Sequence, residues 1–305
     1  MNAITQLLEK ILPVFVMLGL GVLCRRRQLL SREGVNALKN VAVSIALPAV
    51  MFSAFADADY SPSSILVPLM IFTLCILSLY GGTALCRVLN IPGRLSPFLS
   101  AGFEAGMLGY SLFGILFPGE AVASFAMVDL GQVLFVFTVY KVLLARKDGI
   151  RGALKEAASS TTVWAIVAGL IFGATGLYKA LQPSGVAGVI DATADFIAAP
   201  TSALILLAIG YDLAPTQIKW KKISRLLVLR LGISAAALAV ALLVDRLLLG
   251  GMMHLGAALL LFILPPPFVL PVFADVEEER ADVSSALSAL TVVSIALYAV
   301  LAVVL

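Results

Sequence analysis

The chain has 305 residues, of which 61% are hydrophobic and 13% charged, with a formal net charge of +3 and a mean hydropathy of +1.05. These figures exclude a soluble globular domain, and no nucleic-acid partner is expected. Several runs free of Asp, Glu, Lys and Arg, among them Tyr60–Cys86, Ala157–Tyr178, Leu247–Ala274 and Val283–Leu305, exceed the roughly 18–20 residues that cross a bilayer as a helix. Hydrocarbon offers no partner to a backbone N–H or C=O, so spans must be helices or closed barrels. No alternation at period two marks a barrel.

In chain order, ten spans are predicted near residues 5–24, 36–56, 64–86, 96–117, 121–143, 160–178, 190–211, 227–248, 253–274 and 283–305. The first is not expected to be a cleaved signal, because Arg25-Arg26-Arg27 follows its apolar run and does not precede it. Basic residues set the orientation. With both termini outside, the cytosolic segments hold 18 of the 21 Lys and Arg residues, from Arg25 through Lys219, Arg225 and Arg230 to Arg280. Only Lys10, Lys179 and Arg246 remain outside. The expected location is the cell's inner (plasma) membrane, with the basic loops facing anionic lipid headgroups.

Internal similarity suggests a repeat. Leu47-Pro48 in span 2 matches Ala199-Pro200 in span 7 at an offset of 152, and Val14–Gly19 in span 1 resembles Val163–Gly169 in span 6 at an offset of 150. Five spans followed by five more makes the halves, 1–156 and 157–305, inverted, which is a common transporter architecture. The fold class expected is therefore an all-α membrane protein of ten transmembrane helices in two inverted five-helix repeats.

The most conspicuous local feature is Pro265-Pro266-Pro267 inside span 9. Each interior proline removes an amide donor and costs about 3 kcal/mol in a helix, so the helix must break there. Transferred by the repeat offset, a second break is expected in span 4 near residues 105–115, in the stretch Ala101–Gly114 that holds Glu104, Gly106, Gly109 and Tyr110. Matching interruptions in two halves point to a midplane binding site, because broken helices present amides to anions and carbonyls to cations.

The segments "ILPVFVMLGLGVL", "LLSREGVNALKNVAVSIALPAVMFSAF", "MLGYSLFG" and "VDLGQVLFVFTVY" resemble bacterial permeases of the auxin efflux carrier family, relatives of the plant auxin carriers. The resemblance covers essentially the whole chain. It implies ten spans in two inverted repeats, with broken helices 4 and 9 crossing at the substrate site, in a fold shared with bile-acid:sodium symporters. It also implies transport of small organic anions, such as mono- or dicarboxylates, driven by the proton gradient or membrane potential, and a homodimer. The chain departs from that family at Glu104-Ala105-Gly106, where many relatives carry Asn, and at Ser111, where many have Pro after the Gly-Tyr pair.

Candidate site residues follow from position. Glu104 and Asp129 are the acids farthest from the span ends, and a charge at the bilayer centre costs at least roughly 2.5–3.5 kcal/mol. Glu104 is expected to couple proton movement to anion binding; the alternative is a structural hydrogen bond. Asp129 and Gln132, three apart on one helix face, are expected to flank the crossing with Ser288, while Tyr110 serves either as a ligand group or as a packing aromatic. His254 reads as a span-end residue, and Cys24, Cys75 and Cys86 as small apolar residues. No cofactor or metal is expected beyond a coupling proton, or sodium in an alternative reading. No HExxH pair, Cys-His pair or phosphate-cradling loop suggests an enzyme. A membrane sensor that binds solute without moving it is the alternative from another class.

Overall fold

A computed structural model describes residues 3–305 apart from 59, 62–63, 119–121, 145–151, 153–154, 156–157, 214–219 and 271–276. The described residues form helices and no strands. Seven segments among them are long and apolar enough to cross a membrane: α2 (Arg32–Ala56), α3 (Leu66–Val88), the interrupted stretch Pro97–Leu116 that ends in α4 (Tyr110–Leu116), α5 (Val122–Leu144), α7 (Val186–Asp212), α8 (Ile223–Leu249) and α10 (Glu278–Val304). Expected spans 1, 6 and 9 take other forms. The first is a 24-residue helix, α1 (Ala3–Arg26), and the sixth a 14-residue helix, α6 (Thr161–Ala174). The ninth is a short helix, α9 (Leu255–Ile263), that stops before the prolines; its expected end at 271–274 lies outside the described residues.

Packing divides the chain into two compact units, each drawn from both halves of the sequence. The first comprises Met1–Ser64, Gly106–Met127 and Lys155–Leu213; the second comprises Ile65–Ala105, Val128–Leu154 and Ala214–Leu305.

In the first unit the most extensive helix pairs are α2 with α6 and α1 with α7. Both pairs depend on glycine. A Cβ on Gly21 of α1 would stand 2.1 Å from the Leu207 carbonyl oxygen of α7, and one on Gly210 of α7 would stand 2.2 Å from the Leu18 oxygen. Likewise Gly169 and Gly173 of α6 press on the backbone of α2 at Phe52 and Phe55. Lipid tails are as apolar as leucine, so helix association in a membrane relies on such close van der Waals approach.

Proline bends these helices where the repeat placed it. In α2 a wide turn over Ala42–Ala46 precedes Pro48, and α7 is interrupted at Ala199-Pro200 between Val186–Ala198 and Thr201–Asp212. Pro48 cannot donate to the carbonyl of Ser44, four residues back. That oxygen is taken instead by the Thr161 hydroxyl at 3.0 Å, and the neighbouring Val43 oxygen by Thr162 at 3.1 Å. The two threonines that open α6 thus complete the ladder that Pro48 interrupts.

Basic residues in the last turn of α1 and in α2 hold the end of α7. Arg25 donates from Nη1 to the carbonyls of Tyr211 and Leu213 at 3.3 and 3.0 Å, where a cation suits a helix C-terminus. Arg32 and Lys39 both pair with Asp212. The three cysteines are free thiols, with Cys75 and Cys86 buried, as their reading as small apolar residues anticipates.

Gly21→Ala and Gly210→Ala should each force a helix pair apart and lose about 1–3 kcal/mol, seen as a lower thermal unfolding midpoint of the purified protein. Gly19→Ala, whose added Cβ meets nothing within 4 Å, should not. Indistinguishable midpoints for the three variants would refute the glycine-packing account.

Candidate functional site

The second unit brings together both interrupted segments. The expected break in span 4 is present, but earlier than 105–115. Pro97–Ser100 is a 3₁₀ turn, Ala101 is extended, at φ −132° and ψ 160°, and helical structure resumes only at Ala105. Gly106 and Gly109 therefore belong to a continuous helical stretch, a wide turn over Ala105–Gly109 that runs into α4. The two breaks centre near residues 102 and 266, farther apart than the repeat offset, which is why the transferred position fell late.

The span 4 break turns on Gly102. Its φ of +71° is left-handed, and a Cβ there would approach Pro267 Cγ at 3.1 Å and Cδ at 3.3 Å. The glycine thus serves conformation and close approach together. The preceding turn is fixed from two sides. The Tyr140 hydroxyl donates to the Phe98 carbonyl at 2.9 Å, and Ser100 packs against Gly82 of α3, where any Cβ would collide with its hydroxyl.

The proline triplet makes its segment almost purely an acceptor. Residues 265–267 carry three carbonyls and no amide proton, and unpaired carbonyls at membrane depth are costly. The crossing segment supplies donors. The Glu104 N–H donates to the Pro265 oxygen at 2.8 Å. The first amide after the triplet, Phe268 N–H, donates to Glu104 Oε2 at 2.6 Å. Glu104 thus grips both ends of the triplet, with its backbone on one side and its carboxylate on the other. It is 9% exposed.

Carbonyls that flank the two breaks, those of Gly102 and Leu264, lead to a residue that the sequence reading placed in the cytosol. Arg230 is the eleventh residue of the helix Trp220–Val244, which overlaps α8 from Ile223 on; it lies about 15 Å from the helix start and is 2% exposed. Its Nη2 donates to the Gly102 oxygen at 2.8 Å and to the Leu264 oxygen at 3.1 Å, one from each broken segment. Its guanidinium carbon stands 4.7 Å from the centre of the Phe103 ring, a cation–π distance, and that ring packs edge-on against Phe262 at 5.2 Å. Arg230 is therefore a correction to the count of cytosolic basic residues. The signal was available: apolar residues flank it in Leu226-Leu227-Val228-Leu229-Arg230-Leu231, and an ionisable residue so placed marks a site more often than a loop.

The other expected site residues divide between the units. Asp129 and Gln132 are buried on α5 in the second unit, with Gln132 Nε2 donating to Asp129 Oδ1 at 3.1 Å. Ser288 is half-buried on α10. Tyr110 belongs with Gly106 and Gly109 to the first unit, where its buried ring packs edge-on against Phe125 at 4.8 Å. His254 caps α9, its Nδ1 accepting from the Ala257 N–H at 3.0 Å. Near the start of α10, Glu279 accepts from the Leu95 N–H at 3.3 Å.

Gly102→Ala should lower stability by about 1–2 kcal/mol through its left-handed backbone alone, and further through Pro267. Thermal unfolding beside Gly114→Ala, whose Cβ meets nothing within 4 Å, checks this, and equal midpoints would contradict it.

Residues 6–160, just over half of the chain, match a family model described as "Membrane transport protein". A curated relative, an "Uncharacterized transporter" from Methanothermobacter thermautotrophicus, is 28% identical over 212 residues, covering 67% of each chain.

Proposed function

Because the chain belongs to the membrane transport protein family, we propose that it is a secondary active permease of small organic anions, mono- or dicarboxylates, and not an enzyme. Alternating access takes place around the crossing of its two broken segments. The observation that carries this reading is the pairing of Glu104 with the proline triplet: a carboxylate inside a membrane protein, bound to the first free amide of a broken helix. Amides at such a break suit an anion, and Glu104 shows that a carboxylate fits this one.

Glu104 is the coupling group. An ionised carboxylate holds the Phe268 amide by a charge-assisted hydrogen bond, about twice as strong as a neutral one. Protonation weakens that bond and removes a negative charge from the crossing, so an incoming carboxylate meets less repulsion. Proton uptake and anion uptake then favour each other, which is the linkage that a proton-driven carrier needs. Asp129 and Gln132 order α5 beside the site.

Ten spans in two inverted repeats remain the architecture of this reading, and the packing supports it. If helices 1–5 correspond to 6–10, the pair α2–α6 maps onto α7–α1, and these are the two most extensive helix pairs. Each compact unit also draws corresponding spans from both halves. The chain sits in the inner membrane with both termini outside, the orientation that leaves most basic residues in the cytosol even without Arg230, and it works as a homodimer.

The test is solute-driven current and radiolabelled flux in proteoliposomes, for a panel of mono- and dicarboxylates across pH, with wild type and Glu104→Gln. A saturable flux for one acid, with its pH dependence lost in the variant, is expected. Flux with unaltered pH dependence would remove Glu104 from coupling, and absence of flux for every acid would sink the anion carrier.

A further inference from the structure

We propose that Arg230 is the anion-binding group of this protein, its Nη1 receiving a carboxylate of the carried solute; this rests on the carrier reading. Three observations on one side chain lead to it. Arg230 is 98% removed from solvent in the middle of an apolar helix. Its Nη2 is fully engaged by two carbonyls, one from each interrupted segment. Its Nη1 is buried with no hydrogen-bond partner.

A strut alone does not account for this arrangement. Two neutral carbonyls and one ring face meet a full positive charge, and among the described residues no carboxylate lies within ion-pair distance of Arg230. Taking a guanidinium out of water costs several kcal/mol unless an opposite charge compensates, and a donor left unmade adds to that. A residue needed only to tie two carbonyls together would be better served by a neutral amide or hydroxyl. What the site holds instead is a buried planar cation, clamped through Nη2 and without a hydrogen-bond partner at Nη1. That is the geometry with which arginine recognises carboxylates.

The surroundings fit an anion of modest size. Arg230 acts electrostatically on Cys75 and Tyr140, Asp129 acts on Cys75, and Glu104 acts on Tyr140, so acids lie in the same neighbourhood without pairing with Arg230. A cavity of about 560 Å³ runs between Arg94, Ser96 and Glu279 and reaches Leu99 and Leu226. Leu226 is one turn before Arg230 on the same face of α8, and Leu99 is three residues before Gly102. The cavity is thus lined by residues one helical turn from Arg230 and three residues from Gly102, and its volume is that of small-molecule sites. Because Arg230 binds both breaks, a solute held on Nη1 is sensed by both broken segments through one rigid group.

The experiment uses the full chain in detergent and in proteoliposomes, with the carboxylate that the flux panel shows to be carried and its carboxamide analogue as probes. Wild type should bind the acid and not the amide. Arg230→Gln should weaken binding of the acid about 10- to 100-fold, the range for losing a charged hydrogen bond, and should reduce the preference for acid over amide. Arg230→Lys, which keeps the charge but not the fork and preserves the test if Arg230→Gln folds poorly, should lose affinity to a smaller degree. Unchanged affinity in either folded variant, with only a lower unfolding midpoint, would make Arg230 a strut and overturn the proposal while leaving the carrier reading intact. A wild type that carries no carboxylate overturns both.

Discussion

Inside hydrocarbon a backbone carbonyl without a donor has nowhere to turn, and the second unit is organised around a place where that shortage is built in. Three consecutive prolines withdraw three donors while leaving every acceptor in position. Ordinary helix geometry cannot restore the balance, so donors come from elsewhere: an amide of the crossing segment at Glu104 and the guanidinium of Arg230. Gly102, with its left-handed backbone and absent side chain, lets the two segments come close enough for this exchange. Without the close approach, neither the Glu104 pairing nor the shared Arg230 contact would form.

The same accounting operates more quietly in the first unit. Pro48 leaves the Ser44 carbonyl unclaimed, and a threonine of α6 claims it. The difference in solution is instructive. A hydroxyl is neutral and can be buried at little electrostatic expense, and there the helices simply bend. At the crossing the donor is a cation and the nearest side-chain acceptor of an amide is a carboxylate. The two opposite charges sit in separate hydrogen bonds, each to backbone, rather than in an ion pair with each other.

Much of this was legible in the sequence, and the limits have physical causes. Apolar runs and proline positions report on backbone hydrogen bonding directly, so the seven membrane-length segments among the described residues and the break at Pro265–Pro267 followed from them. The break in span 4 was legible in kind but not in register, because glycines permit irregular backbone without enforcing it. Gly106 and Gly109 are as permissive as Gly102, and only the approach of Pro267 selects the last. Arg230 was read as a flanking charge because basic residues near a span end ordinarily mark the cytosolic side. That rule counts charges within a few residues of an edge, and Arg230 lies only three residues inside the expected edge at 227.

Asp129 and Gln132 illustrate the opposite case, in which spacing alone was enough. Two polar residues three apart on an apolar helix must share a face, and the structure joins them by a hydrogen bond. What spacing cannot convey is which distant backbone group a buried side chain will meet. The contact of Arg230 with Gly102 spans 128 residues and that of Phe268 with Glu104 spans 164. Such pairings depend on how helices cross, and no local propensity encodes them. They do leave a trace: one joins a buried charge, Arg230, to a helix-breaking glycine, and the other joins Glu104 to the amide that follows three helix-breaking prolines. In a membrane chain, unfavourable residues on separate spans are therefore candidates for one another's partners, because hydrocarbon leaves them no other.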